Sequence, residues 1–126
     1  MQYLGCMKTG DIYGSPKMKW YEKDHWILGD GTYHQHSWGA IYILSRDAAE
    51  WVCRNKASLR KFTNDDVTIG AWMMAADAMY VDNRMLCAEN CNHRSAIAVW
   101  SFACQGVCDS DQAGMSAVHQ QCAMRR

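Results

Sequence analysis

The chain has 126 residues, 49% of them hydrophobic and 21% charged, with a single proline; this is the composition of one folded domain, not of a disordered or collagen-like chain. Thirteen basic residues balance thirteen acidic ones, which excludes the basic footprint of a nucleic-acid binder and a polybasic membrane patch. The longest apolar run, residues 70–76, falls far short of the roughly 20 residues that span a bilayer, and the first six residues lack the charged-then-apolar order of a signal peptide.

Residues 1–37 read as an irregular, Gly- and Tyr-rich region with weak strand signals. Gly10-Asp11, Gly14-Ser15-Pro16 and Gly29-Asp30-Gly31 supply its turns. Trp38-Gly39-Ala40-Ile41-Tyr42-Ile43-Leu44 is β-rich and apolar on both faces, which predicts a buried strand. Ser45 is a candidate N-cap for a helix over 46–56. Asn64 is a second, with Asp65 and Asp66 in the first turn, where carboxylates complement the helix dipole. Ile69, Trp72, Met73 and Ala76 then recur at helical steps, predicting an amphipathic helix to about 77. Short strands are expected at 79–81 and 96–100, and a last helix over 111–122. Strands alternating with helices predict an α/β fold.

Several residues could carry chemistry. Seven cysteines in a short chain suggest disulfides in an oxidising compartment or a metal cluster. Cys87, Cys91, His93, Cys104 and Cys108 have loose zinc-like spacing, and disulfides explain the same residues equally well. Cys53, mid-helix among apolar residues, is expected to be the unpaired, buried thiol. His34 and His36 fall on one face of an extended segment, as a metal pair would, with no third ligand evident. Asp109-Ser110-Asp111 has an Asp-any-Asp pattern, which helix capping explains better. At Asp65 and Asp66 two readings stand side by side. One is capping; the other is a general base, ionised by the helix N-terminus against the opposing pull of the neighbouring carboxylate.

The blocks around these residues resemble glycosyltransferase family 31, and within it the plant-type β-1,3-galactosyltransferases. Tyr33, His36 and Gly39-Ala40-Ile41-Tyr42-Ile43-Leu44-Ser45 resemble its G-x-x-Y-x-x-S segment. Lys61-Phe62-Thr63-Asn64-Asp65-Asp66-Val67-Thr68-Ile69-Gly70 resembles K-[YF]-x-N-E-D-V-x-[LI]-G. Val81-Asp82-Asn83-Arg84-Met85-Leu86-Cys87 resembles I-D-D-R-x-x-C, and Phe102 to Cys108 resembles W-S-C-S-G-I-C. Tyr3-Leu4-Gly5-Cys6-Met7-Lys8-Thr9-Gly10 resembles Y-V-G-C-M-K-S-G, and Met115 to Cys122 the closing M-x-x-V-H-x-x-C.

The resemblance implies part of a GT-A, Rossmann-like domain: residues 1–126 as the C-terminal, acceptor-side portion, with a mixed sheet and flanking helices. It implies an inverting hexosyltransferase that moves galactose or a related hexose from a UDP-sugar to a glycan or glycoprotein in β-1,3 linkage. Asp66 is the expected base, facing an open sugar pocket, with Asp65 in support. Tyr33, His36, Trp38 and Gly39 are the expected substrate-binding residues. Mn²⁺ is the expected cofactor, with its Asp-any-Asp ligand motif and the membrane anchor absent from this chain, and the Golgi lumen is the expected location. A disulfide-stapled carbohydrate-binding module, with Trp38, Tyr33 or Trp20 as platforms, is the alternative, and a zinc-dependent interaction module a third reading.

Overall fold

The computed structural model describes residues 1–29, 31–88, 98–100 and 105–107. Two compact units divide the chain, residues 1–84 and 85–126. In the first, three strands form a mixed sheet: β1 (Gln2–Lys8) lies between β2 (His36–Leu44), antiparallel to it, and β3 (Met79–Asp82), parallel to it. A short helix α1 (His25–Leu28) precedes β2, and helices α2 (Arg46–Asn55) and α3 (Asp65–Ala75) follow it. This is the α/β arrangement expected from the alternation of elements. The second unit contains a 3₁₀ turn (Arg84–Leu86) at its border and three short strands, β4 (Cys87–Ala88), β5 (Ala98–Trp100) and β6 (Gln105–Val107). There β4 pairs parallel and β6 antiparallel to β5. Among the described residues no helix is long and apolar enough to cross a membrane.

The core of the first unit forms where α2 and α3 meet the sheet. Tyr3, Met7, Ala48, Trp72, Met73 and Ala76 are its buried members, with Tyr42, Leu44, Trp51 and Tyr80 packed around them. Tyr3 is fully buried in the middle strand, and its ring meets Tyr42 of β2 and Tyr80 of β3 edge-on at 6.0 and 5.1 Å. Its hydroxyl accepts the Ser37 N–H at 2.8 Å. One side chain thereby ties all three strands, and burial holds its hydroxyl neutral far above the ordinary tyrosine range.

Several expectations need correcting. Residues 1–37 are not uniformly irregular, because Gln2–Lys8 is the central strand. Its signal is hidden by a bulge: the register shifts between Gly5 and Met7, so Cys6 and Met7 are both buried and the two-residue alternation fails. Conversely, β2 is not buried on both faces. It is an edge strand in which only His36 and Ser37 are buried, and Ile43 is half exposed. Cys53 is a free thiol, as expected, but exposed. Cys6 and Cys87 are disulfide-bonded, so Cys87 is no zinc thiolate. The helix expected at 111–122, and Cys91, His93, Cys104, Cys108, Asp109 and Asp111, lie outside the described residues.

Both main helices start where expected, but not by the expected contact. Ser45 and Asn64 have extended backbones and make no side-chain capping bond. Asp47, Asp65 and Asp66 instead accept the N–H of the following residue, at 2.9–3.0 Å, so carboxylates serve the exposed donors of the first turn.

The approach of α3 to β2 depends on Gly70. A Cβ there would lie 2.5 Å from the Cβ of His36 and 3.2 Å from the carbonyl oxygen of Gln35, both fixed to backbone. Helix propensity alone favours Ala over Gly by about 1 kcal/mol, whereas overpacking costs about 1–3 kcal/mol and occasionally more. The 2.5 Å approach puts the cost at the upper end of that range, so Gly70→Ala is expected to destabilise the chain by about 2 kcal/mol in urea unfolding; an unchanged or raised midpoint would mean that helix and strand are not in this contact.

Candidate active site

The site is built at the N-terminus of α3, where it meets the start of β2 and the end of β1. Asp66 stands in the first turn with one oxygen, Oδ1, accepting the Val67 N–H at 2.9 Å. The other, Oδ2, is 3.6 Å from the Lys8 ammonium and 3.9 Å from Nε2 of His36. The α-carbon of Gly39 closes the corner, since a Cβ added there would lie 3.4 Å from the same oxygen. The Asp66 side chain keeps 14% of its surface exposed, and that of Lys8 keeps 33%. The carboxylate is thus confined but reachable, with one oxygen committed to the helix and one presented to a cation and an imidazole.

His36 is buried and its protonation pattern can be read from its bonds. Nδ1 lies 2.8 Å from the His34 carbonyl oxygen, so Nδ1–H donates and the Nε2 lone pair faces Asp66. Burial holds its pKa below the usual value of 6.5, outweighing the His34 carbonyl and Asp66, which act to raise it. His34 is spent in another way, with Nε2 bonded to the Val67 carbonyl at 3.0 Å. His34 therefore fastens the segment entering β2 to α3, and His36 in turn is bonded back to His34. Among the described residues no three His, Cys, Asp or Glu side chains converge as a metal site.

Tyr33 lies beneath the corner, its ring edge-on to His36 at 5.8 Å. Its hydroxyl is buried beside Glu22 and Asn64 without a well-formed hydrogen bond, and burial followed by the Glu22 charge pushes its pKa up to about 12. Trp38 is half-buried and Gly39 exposed. Trp20, far earlier in the chain, carries the Lys19 ammonium 4.9 Å over its ring. Of the expected residues, Asp66, His36, Gly39 and Tyr33 are brought together. Asp65 is exposed and turns elsewhere: it lines an open cleft of about 290 Å³ with Tyr42, Lys61, Phe62, Thr63 and Trp72. The pocket expected in front of Asp66 is, among the described residues, found beside Asp65.

Two residues of the site carried no assigned role in the sequence. Lys8 stood in a matched block with nothing to indicate its partner. Glu22 is fully buried; its carboxylate accepts the Thr63 N–H at 2.9 Å, the Thr63 hydroxyl at 3.1 Å and the Asp24 N–H at 3.0 Å. It thereby pins the loop before β2 to the segment leading into α3, and an exposed Arg60–Asp24 pair lies along the same seam. Removing this buried carboxylate would strand three donors. The only sequence signal available was a glutamate in an aromatic stretch.

The galactosyltransferase family model matches residues 1–84, which is the first structural unit. Curated relatives from Arabidopsis thaliana align over more of the chain. "Probable beta-1,3-galactosyltransferase 12" is 46% identical over 111 residues, which is 86% of this chain and 29% of that protein. "Probable beta-1,3-galactosyltransferase 13" is 43% identical, covering 87% of this chain and 32% of that protein. "Hydroxyproline O-galactosyltransferase HPGT3" is 39% identical, covering 70% and 26% respectively. The chain thus spans about a third or less of the length of these relatives. No solved structure matches it significantly.

The depressed pKa of His36 has a thermodynamic consequence. Below its ordinary value of 6.5 the unfolded chain binds a proton at this position more readily than the folded one, so stability falls as pH drops through that value toward the folded pKa. Urea unfolding from pH 7.5 to 5 should show this loss, and His36→Gln should flatten the slope; an identical slope in the variant would assign the loss to other groups.

Proposed function

The chain belongs to the galactosyltransferase family, and we propose that it forms the acceptor-side part of an inverting β-1,3-galactosyltransferase in which Asp66 is the general base. One observation carries the proposal: Asp66 Oδ2 sits at a helix N-terminus, still reachable, within 3.6 Å of Lys8 and 3.9 Å of His36 Nε2.

In this reading an acceptor hydroxyl enters the corner at Gly39 and donates its hydrogen bond to Asp66 Oδ2. The Lys8 ammonium, on the same side, donates to the hydroxyl oxygen, which orients it and favours its ionisation. As that oxygen attacks the anomeric carbon of a UDP-sugar, its proton passes to Asp66, and the bond to the diphosphate breaks on the opposite face with inversion. Buried His36 backs the carboxylate from the protein side, and Tyr33 packs edge-on against its ring. Asp65 assists through the helix start, accepting the Asp66 N–H at 3.0 Å.

The donor as UDP-galactose, the acceptor as a glycan or glycoprotein, and the Golgi lumen as the place of action belong to the same proposal. The disulfide-bonded Cys6 and Cys87 support an oxidising, secretory compartment. Mn²⁺ belongs to the same proposal as an ion held outside this chain: none of the described residues form a three-ligand set, and no step above is routed through it.

The test is sugar transfer from UDP-galactose by the full-length protein. Asp66→Asn, which keeps the shape and removes the basicity, is expected to lower kcat by about 10²–10⁴-fold with the fold intact by circular dichroism. A rate close to the parent's would remove Asp66 from the role of base.

A further inference from the structure

The cleft beside Asp65 has chemistry that the Asp66 corner does not use. Tyr42 and Phe62, both part-exposed, and Ile69 give it apolar surface with the buried Trp72 behind them, while Lys61, Thr63 and Asp65 supply polar groups. At about 290 Å³ it lies at the lower edge of the range for small-molecule sites. Its charges cancel, one ammonium against one carboxylate, so it is not built to attract an anion such as a diphosphate. Aromatic faces suit the C–H faces of a sugar ring, and an alternation of donors and acceptors suits its hydroxyls.

The walls are preformed. Trp72 is fixed by donating its indole N–H to the Arg60 carbonyl at 2.6 Å. Phe62 is held because Thr68 Oγ1 accepts its backbone N–H at 3.0 Å, and that same hydroxyl donates to the Asn64 carbonyl at 2.8 Å. Burial, and next the Asp65 charge, keep the Tyr42 hydroxyl above its ordinary pKa and therefore a neutral donor. Asp65 commits Oδ1 to the Asp66 N–H and keeps a second oxygen for a ligand.

We propose that this cleft is a subsite for a neutral pyranose, the acceptor sugar next to the one whose hydroxyl reaches Asp66. The placement rests on the transferase reading above; the binding chemistry does not. Asp65 and Asp66 are consecutive on α3 and point about 100° apart around its axis, so in this proposal the acceptor chain bends over the helix start to address both carboxylates, one as a hydrogen-bond acceptor and one as a base. Phe62 and Tyr42 then act on acceptor affinity and length preference, and Lys61 on ring orientation.

The experiment is a titration of the ¹⁵N-labelled chain with methyl β-galactopyranoside, a β-1,3-linked galactose disaccharide, UDP and glycerol, followed by amide shifts. Saturable shifts at Phe62, Thr63, Asp65 and Ile69 with both sugars, tighter with the disaccharide, are expected. Asp65→Asn and Phe62→Ala should each weaken binding by about tenfold, and Lys61→Ala, at an exposed position, tests the cleft should Phe62→Ala fail to fold. Shifts confined to Lys8, His36, Gly39 and Asp66, equal response to glycerol, or a cleft that answers to UDP instead of sugar would overturn the proposal. Sugar binding in the cleft with no transfer by the full-length protein would sink the catalytic reading alone. Transfer that is unaffected by Phe62→Ala and Lys61→Ala in acceptor KM would sink the subsite alone.

Discussion

The close approach of α3 to β2 is the constraint on which the rest of the site depends. It requires a residue without a side chain at Gly70, because the space beside that α-carbon is already filled by His36 and the Gln35 backbone. With the gap closed, His34 reaches the Val67 carbonyl and the first turn of α3 is held against the strand. The N-terminus of the helix, and Asp66 with it, is then delivered to the end of β1 where Lys8 emerges. A gap wider by one methyl group would draw the carboxylate away from both neighbours and admit water between them, which weakens the pairing by raising the local dielectric. Packing here sets electrostatics.

The same logic explains why polar residues are buried around the site. Glu22 is a carboxyl group with no exposure, a placement that burial opposes unless donors surround it. Thr63 and Asp24 are those donors, and they join two segments that hydrophobic contact alone would leave free to slide. Asp82 plays the matching part at the C-terminal end of β1, next to Lys8. It accepts the Met7 N–H at 2.8 Å and pairs with Arg84, which returns a bond to the Met7 carbonyl. The Asp82-Asn83-Arg84 block, quoted from the sequence for its family likeness, therefore has a structural use. It fixes the strand just past its bulge, where the ladder is interrupted and Lys8 must still point the right way.

How much could be read in advance follows from where the signals are local. Helix α2 declared itself through its candidate cap at Ser45 and α3 through apolar spacing and an acidic first turn, and their observed bounds differ from expectation by one or two residues. The start of β3 was legible as Met79-Tyr80-Val81. The central strand was not, because a bulge puts two consecutive side chains, Cys6 and Met7, in the interior and erases the period of two. The edge strand was misjudged in the opposite direction, since Ile41, Ile43 and Leu44 suggest burial that position in the sheet does not provide. At the site, Asp66, His36 and Gly39 came from local motif likeness. Lys8 and Glu22 could not, since their partners stand 58 and 41 residues away along the chain, and no local pattern encodes such a pairing.

The two acidic residues at the start of α3 end as physically different groups, although sequence offers them as equals. Successive helical positions point about 100° apart, so a helix pressed against a strand turns one carboxylate inward and leaves its neighbour to the open side. Asp66 is turned to the corner of Lys8, His36 and Gly39, where low exposure strengthens each electrostatic contact. Asp65 is left in water at the lip of an aromatic cleft, where a carboxylate is a hydrogen-bond acceptor first and a charge second. A base needs confinement and a recognition group needs access. In the proposed reading one helix start packed on one side offers both environments from adjacent residues, and which carboxylate is confined follows from the face of α3 that Gly70 allows to come close.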